Sequence, residues 1–456
     1  MEHSKEYKER VRRKIKRRRI KTAIVCGVLA LIISLSIFAC NGLTGKTPNT
    51  DEGGANPPSS QNDKNENNNP TGPQLVAKAT VGSTGDILIH DNVISSVKQS
   101  DGSYDFSNMM PYIKSYFSGV DYMVANLEVT LGGTAAGAYK GYPYFNSPDS
   151  VLDGFKNAGV DMFLTANNHT YDTGYNGMLR TARILKEKNI DFIGTKLQKN
   201  EPFYSVKDVN GIKIGFAVYT YETATSSSGL KSLNGNVLSA EAGPLVSSFN
   251  YSKLEAFYST VKSDYEAMKA LGAEAVICYV HWGNEYNFTA NSYQKQIAKK
   301  LADIGIDVIV GAHPHVVQPF ETIKSASGKE TLCIYSVGNC VSNQRKEILT
   351  VDCPTGHTED GMIFSVSFEK WSDGTFKISS ADVLPIWVNL KTTANGRAYE
   401  IVPLDLKITD WTTLGLNSAT LSSAKASYNR TMKIVGEGLN AYKTAHGQDP
   451  VKTNIE

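Results

Sequence analysis

From residue 22 to residue 40 the chain carries no charged side chain, reading TAIVCGVLALIISLSIFAC. A helix of about 19 residues rises about 28 Å, close to the hydrocarbon thickness of a bilayer, so this run predicts a transmembrane helix. Residues 41–74 are rich in Asn, Gly, Pro, Ser and Asp and almost free of large apolar side chains, which predicts a disordered linker. A random coil of that length holds its ends on the order of 30 Å apart, so its expected job is reach. Patterned hydrophobicity starts at residue 75. Short apolar runs at residues 75–82, 120–127, 162–165, 212–218, 275–280, 308–310 and 332–337 predict buried strands. Between several of them apolar residues recur every three or four positions, at residues 147–158, 175–188, 253–271 and 292–304, which predicts amphipathic helices. Strand and helix alternate, so residues 75–410 are expected to form one layered α/β domain. After Met362 the pattern turns strand-rich and ends in a helix at about residues 424–442, within a helical extension over 411–456. The late strands read as the closing strands of the same domain and the helix as peripheral.

Charge sharpens this layout. Residues 1–21 hold eleven Lys and Arg against three Glu, which leaves −6 on the rest of a chain whose formal total is +2. A basic flank before an apolar span marks the cytoplasmic side, so 1–21 reads as a cytoplasmic tail and everything after residue 40 as extracytoplasmic. The predicted location is the cell membrane, spanned once. Ile37-Phe38-Ala39-Cys40 resembles a lipobox, and a lipoprotein attached at Cys40 is the alternative to a signal anchor. The mildly acidic outer part argues against nucleic acid as a partner, because phosphate binding needs clustered Lys and Arg. At 41% hydrophobic and 20% charged residues, the chain as a whole has the composition of a folded protein. Cys278 and Cys333 lie in apolar runs and read as small buried hydrophobes. Cys340 and Cys353 are candidates for a disulfide. No Cys-x-x-Cys occurs, which excludes a zinc knuckle.

Five of the eight histidines, His90, His169, His281, His313 and His315, sit beside Gly, Asn or acidic residues at the ends of predicted strands. Imidazoles and carboxylates gathered at strand-to-loop junctions are the residue types of a metal site. Gly311-Ala312-His313-Pro314-His315 is the sharpest motif, since alternate residues of an extended segment point the same way and Pro314 stiffens it. Asn167-Asn168-His169-Thr170-Tyr171-Asp172 supplies an amide oxygen, an imidazole and a carboxylate able to orient that imidazole. His281-Trp282-Gly283-Asn284-Glu285, Gly85-Asp86-Ile87-Leu88-Ile89-His90 and Asn126-Leu127-Glu128 complete the set. Tyr142, Tyr144, Trp282 and Tyr286 read either as polymer contacts or as packing residues, and Glu321 as a pocket or a solvated carboxylate. His3, His357 and His446 read as incidental.

The ordered series G-D, N-L-E, N-N-H-x-x-D, H-W-G-x-E, G-A-H-P-H and Y-S-x-G-N resembles the CapA family of capsule and poly-γ-glutamate biosynthesis over about residues 76–405. That family in turn is similar to calcineurin-like metallophosphoesterases, and the resemblance implies a β-sandwich flanked by helices. It further implies Asp86 as a metal ligand, Asn168 as an amide ligand, His169 as the catalytic imidazole with Asp172 behind it, and His281, His313 and His315 as completing the metal shell. Two departures stand out. The phosphoesterase Asp-x-His opening is replaced by Asp86 with Leu88, and a histidine arrives only at His90, which becomes the candidate ligand. The Gly-Asp that supplies a bridging carboxylate is replaced by Ala125-Asn126, which nominates Glu128 for that place. Asn126, Trp282 and Glu285 are expected to touch substrate. The cofactor implied is one or two divalent ions, zinc, manganese or iron.

The function expected is a membrane-anchored, extracytoplasmic, metal-dependent hydrolase serving synthesis, export or release of an anionic polymer, poly-γ-glutamate or another capsule polymer. Membrane synthase subunits are the expected protein partners. A non-catalytic subunit that grips polymer for a synthase is the rival reading, and an envelope nucleotidase or phosphatase ranks third.

Overall fold

The computed structural model of the protein describes residues 72–223, 229–394 and 396–456. The expected basic tail, membrane span and linker up to residue 71 lie outside them. Among the described residues no helix is long and apolar enough to cross a membrane.

Two sheets carry the fold. In the first, β1 (Leu75–Ile87), β2 (Tyr122–Leu127), β3 (Met162–Leu164) and β4 (Asp191–Ile193) lie side by side and parallel. On the other side of β1 the antiparallel strands β15 (Asp360–Trp371), β16 (Phe376–Thr393) and β17 (Gly396–Pro403) extend the sheet. The short β14 (Asn339–Val341) pairs in parallel with the end of β1. The second sheet has the order β12 (Phe320–Lys324), β13 (Glu330–Ile334), β11 (Val308–Ala312), β10 (Ala275–His281), β6 (Ile212–Tyr221) and β5 (Tyr204–Val209), with β9 (Ser248–Phe249) beside β6. A separate two-stranded ribbon joins β7 (Ser232–Leu233) to β8 (Asn236–Val237).

The sheets face each other through one buried cluster that includes Val81, Val124 and Phe364 from the first and Phe216, Ile277, Val310 and Ile334 from the second. Alternation along β10 shows how the layers form. Ile277 and Tyr279 point into that central core, while Val276, Cys278 and Val280 point to the outer face. A strand buried on both faces needs a continuous apolar run, as residues 275–280 have. Helices α5 (Leu254–Ala270) and α6 (Ser292–Ile304) cover the second sheet through Phe257, Val261, Ile297 and Leu301. Helices α1 (Asp91–Val97), α2 (Lys114–Phe117) and α3 (Ser150–Ala158) cover the first through Val93, Phe117, Leu152 and Phe155. Helix α4 (Gly174–Glu187) lies alongside, with Leu185 in the same layer. The mixed α/β class, with sheets flanked by helices, is therefore present.

Two expectations are corrected. The last helix, α7, runs Ser418–Ala445, and its stripe of Ala424, Tyr428, Met432, Val435, Leu439 and Tyr442 belongs to the central core, so it is not peripheral. Spacings of three and four keep that stripe on one face. Cys340 and Cys353 are both buried and free, as are Cys278 and Cys333, so the candidate disulfide is absent.

Candidate metal centre

Parallel strands deliver their carboxyl ends to one edge, the usual place for a site in such sheets. Asp86 lies near the end of β1, Asn126 opposite it on β2 with Glu128 two residues on, His281 at the end of β10, and His313 and His315 just past β11. Gly85 lets β14 press against β1, because a Cβ there would stand 1.9 Å from the Gly338 carbonyl oxygen. That approach sets Asn339 beside Asp86 in register. His313 and His315 adopt φ of 94° and 58°, a left-handed backbone unusual for residues with a Cβ and concentrated at functional sites.

The side chains converge. Asp86 Oδ1 accepts from Asn126 Nδ2 at 2.7 Å, and Asp86 Oδ2 lies 3.1 Å from His315 Nδ1 and accepts from the His313 N–H at 3.3 Å. His315 Nδ1 also lies 3.1 Å from Asn339 Oδ1, so its Nδ1–H is shared between two acceptors and Nε2 is left bare. That Nε2 is 3.8 Å from Glu128 Oε1, and His281 Nε2 is 3.4 Å from the same oxygen. Asn168 Oδ1 faces His281 Nε2 at 2.7 Å. The His281 ring stands 4.9 Å from that of His313, which stands 5.9 Å from that of His315.

Burial shapes the protonation of the cluster. Desolvation works to raise the Asp86 pKa, but the hydrogen bond and charge of His315 outweigh it and hold the carboxyl below its usual range. Glu128 has no such partner: burial, then the neighbouring Asp86 charge, pushes it well above the usual carboxylate range. Burial holds the His281 imidazole down at about 3. In His315 burial acts the same way, yet the bond to Asp86 leaves the pKa raised.

The cluster fits a cation. Two groups have donor atoms all within 4.8 Å of one another: Glu128, His313 and His315 in one, Asp86, Glu128 and His281 in the other. Glu128 is common to both. Its Oε1 is completely buried without a hydrogen-bond partner, a costly arrangement that a positive ion would relieve. Mixed imidazole and carboxylate donors suit zinc, manganese or iron.

His169 stands at the flank of this cluster, next to Asn168. Its Nδ1 lies 2.7 Å from Asp172 Oδ2, which also accepts from the Phe145 N–H at 2.7 Å. Burial raises the Asp172 pKa, against the lowering by His169.

The profile of the bacterial capsule synthesis protein PGA_cap family matches residues 80–344, a stretch that contains Asp86 through His315. The chain belongs to that family. The capsule biosynthesis protein CapA of Bacillus anthracis is 28% identical over 275 residues, which is 59% of this chain and 60% of that protein. The PGA biosynthesis protein CapA of Bacillus subtilis is 27% identical over 303 residues, 66% of this chain and 70% of that protein. The match thus spans less than two thirds of the first relative's length. The resemblance to the CapA family drawn from the motifs is confirmed.

Among the residues expected in this PGA_cap site, Asp86, Glu128, Asn168, His281, His313 and His315 come together. His90 stands outside both metal-capable groups: its Nδ1 lies 3.2 Å from the Asn343 backbone nitrogen and 3.3 Å from the Leu88 carbonyl oxygen, so backbone groups engage that side of the ring. Asn126 is 2% exposed and bonds to Asp86 and Glu128, so it orders the carboxylates instead of meeting substrate. Trp282 is fully buried, with Nε1 donating to the Tyr335 carbonyl at 2.9 Å in the outer core, and offers no surface to a polymer. Glu285 is half-buried, and its charge acts on both Glu128 and His315. Sequence reading assigned no site role to Asn339, Asn167 or Phe145. Asn167 Nδ2 donates to Asn126 Oδ1 at 3.2 Å, and its Oδ1 accepts from the His169 N–H at 3.1 Å. The signal for Asn339 was present, a polar residue soon after the apolar run at 332–337, the same context as the histidines.

Proposed function

We propose that this PGA_cap member is an extracytoplasmic, metal-dependent hydrolase of an anionic capsule polymer of the poly-γ-glutamate kind. A membrane helix at residues 22–40 would anchor it, with synthase subunits as its partners in the membrane. The polymer class is supported by the names of the two Bacillus relatives. The observation that carries the metal is Glu128, a buried carboxylate shared by two groups of ligands with one oxygen unpartnered. Where the calcineurin-like pattern has a Gly-Asp carboxylate, this chain has Ala125-Asn126, and Glu128 would supply the carboxylate instead.

Asp86, Glu128, Asn168, His281, His313 and His315 would hold one or two divalent ions. A bound ion of this kind polarises a scissile carbonyl or phosphoryl oxygen and acidifies its water. His169 keeps its Nδ1 on Asp172 and so presents Nε2, the atom from which a proton passes to the leaving group. Asp172 is fixed in turn by the Phe145 N–H, which sets the imidazole's orientation.

The accessory reading, a metal-holding polymer grip without turnover, draws support from depth: Asp86, Glu128, His169, His281, His313 and His315 are each at most 4% exposed. Metal analysis of the purified full-length protein, with turnover of γ-glutamyl oligomers and of a generic phosphodiester, separates the two. Turnover abolished by His169→Ala with metal retained supports the hydrolase. Bound metal with no turnover in the wild type overturns it in favour of the grip.

A further inference from the structure

The segment from Lys140 to Asn146 is a closed loop at the flank of the site. Lys140 and Asn146 exchange both backbone hydrogen bonds, each at 2.9 Å. The Asn146 side-chain amide reaches the carbonyls of Gly133, Gly137 and Ala138, which ties the loop to the turn before it. Two further bonds fix the tip. The Gly141 N–H donates to Asp91 Oδ1 at 2.8 Å, and the Phe145 N–H donates to Asp172, the partner of His169. Gly141 lies so close to the backbone of His90 and Asp91 that a Cβ there would meet them at 2.5–2.6 Å. The Phe145 ring stands edge-on to both His90 and His169, at 5.2 and 4.7 Å. These bonds and contacts pin a tip whose other side chains face water: Lys140 is exposed, and Tyr142 and Tyr144 are 47% and 41% exposed.

The chemistry of that tip complements what lies below it. Asp86, Glu128, Asp172 and Glu285 make the site rich in carboxylates, so an approaching polyanion is repelled unless a cation offsets them. Lys140 Nζ stands 6.0 Å from the Tyr144 ring centroid, and its charge reaches Asp172, where it opposes the rise that burial causes. Exposed aromatic faces beside a lysine bind a chain of alternating methylene and carboxylate groups on both of its parts.

We propose that the Lys140–Phe145 loop is the polymer-recognition element of the site, with Lys140 taking a carboxylate of the chain next to the bond presented to His169, and with Tyr142 and Tyr144 packing on its methylenes. The assignment rests on the reading of the site as one that takes an anionic polymer. Because the loop is fixed before binding, little ordering is needed when the polymer arrives.

The test uses the full-length protein and two fluorescent γ-linked oligomers of equal length, one of glutamate and one of isoglutamine, in which a neutral amide replaces each free α-carboxylate, with binding read by anisotropy. Lys140→Glu is expected to weaken the glutamate oligomer about tenfold, the effect of losing one attraction and gaining one repulsion at a partly exposed site. The same variant should leave the isoglutamine oligomer within about twofold, and Tyr144→Ala should weaken both alike. An equal effect of Lys140→Glu on both oligomers, no effect on either, or a wild type that fails to bind the glutamate oligomer would each overturn the assignment. Turnover is recorded on the same samples: binding that obeys the pattern without cleavage removes the hydrolase reading and leaves the recognition element standing.

Discussion

The ligand cluster and the loop beside it sit a few residues apart in space and live under different electrostatic rules. In the cluster, Asp86 and Glu128 are fully buried, and a single difference in partners sends their pKa values in opposite directions, Asp86 down and Glu128 up. In the loop, Lys140, Tyr142 and Tyr144 face solvent, where the same charges are screened and each contact is worth about 1 kcal/mol or less. The lesson is that depth sets the scale of every interaction here. In the cluster a buried carboxylate oxygen without a hydrogen-bond partner is costly, whereas at the exposed loop tip water serves any polar group left without one.

The sharpest way to break that contrast is at Glu128. Glu128→Gln keeps the shape and removes the charge shared by both ligand groups, so bound metal, measured by mass spectrometry, should fall from stoichiometric to near zero. The melting temperature of the metal-free protein should hold or rise, because a buried carboxyl with one oxygen unpartnered has been replaced by a neutral group. Metal retained in this variant would sink the shared-ligand arrangement.

Next in size is the dyad at the flank. His169→Ala should lower turnover by about 10²–10⁴-fold, the usual worth of a positioned proton donor, with metal content unchanged. Asp172→Asn should lower it less and move the pH–rate profile, since the amide still accepts from Phe145 but no longer stabilises the charged imidazole.

Acid titration gives a smaller effect with a defined sign. His281 is held at about 3 against an ordinary value of 6.5, so the folded state binds fewer protons at this group than the unfolded chain. Its contribution is complete above about 6.5 and is lost as pH falls toward 3. Asp86, also lowered, adds a loss on the acid side, whereas Glu128, raised, loses its contribution as pH rises through its elevated value. Calorimetry of the metal-free protein should show the melting temperature of the wild type dropping more steeply between pH 6.5 and 3 than that of His281→Asn. Parallel curves would remove His281 from the acid response.

The smallest change is expected at the loop. Asn146→Ala removes the amide that serves three carbonyls and should reduce stability by about 1–3 kcal/mol, as for buried acceptors left unsatisfied. Polymer affinity should fall only a few-fold, with metal content intact. A larger loss of metal than of affinity would show that loop and cluster are one unit.

Much of this was legible from residue pattern. Helix α6 has the expected bounds, 292–304, set by an Asn291 capping box and Gly305, and α4 and α5 lie within one residue of expectation at each end, because their apolar residues recur with helical spacing. The doubly buried strands β6, β10 and β11 were equally plain as continuous apolar runs. The edge strand β5 was not, since YSVKDV is largely half-exposed and lacks such a run. Of the six proposed metal ligands, His281, His313 and His315 were marked by their position after strands, and Asp86, Asn168 and Glu128 were named through the family resemblance. His90 and Trp282 satisfied the same rule of placement, and only the direction in which each side chain leaves the backbone separates them from the ligands.

Local order alone determined the layered class, the family and the residue types of the site, because periodicity and motif are properties of neighbouring residues. Which carboxylate would stand alone was decided elsewhere. Asp86 is paired because the bend after β11, with His313 and His315 in left-handed backbone, brings an imidazole from the second sheet against a carboxyl of the first. Glu128 is left with one bare oxygen because two imidazoles approach it at 3.4 and 3.8 Å without closing a hydrogen bond. Charge and burial act through space, and contacts between residues some two hundred positions apart exist only once both sheets have packed.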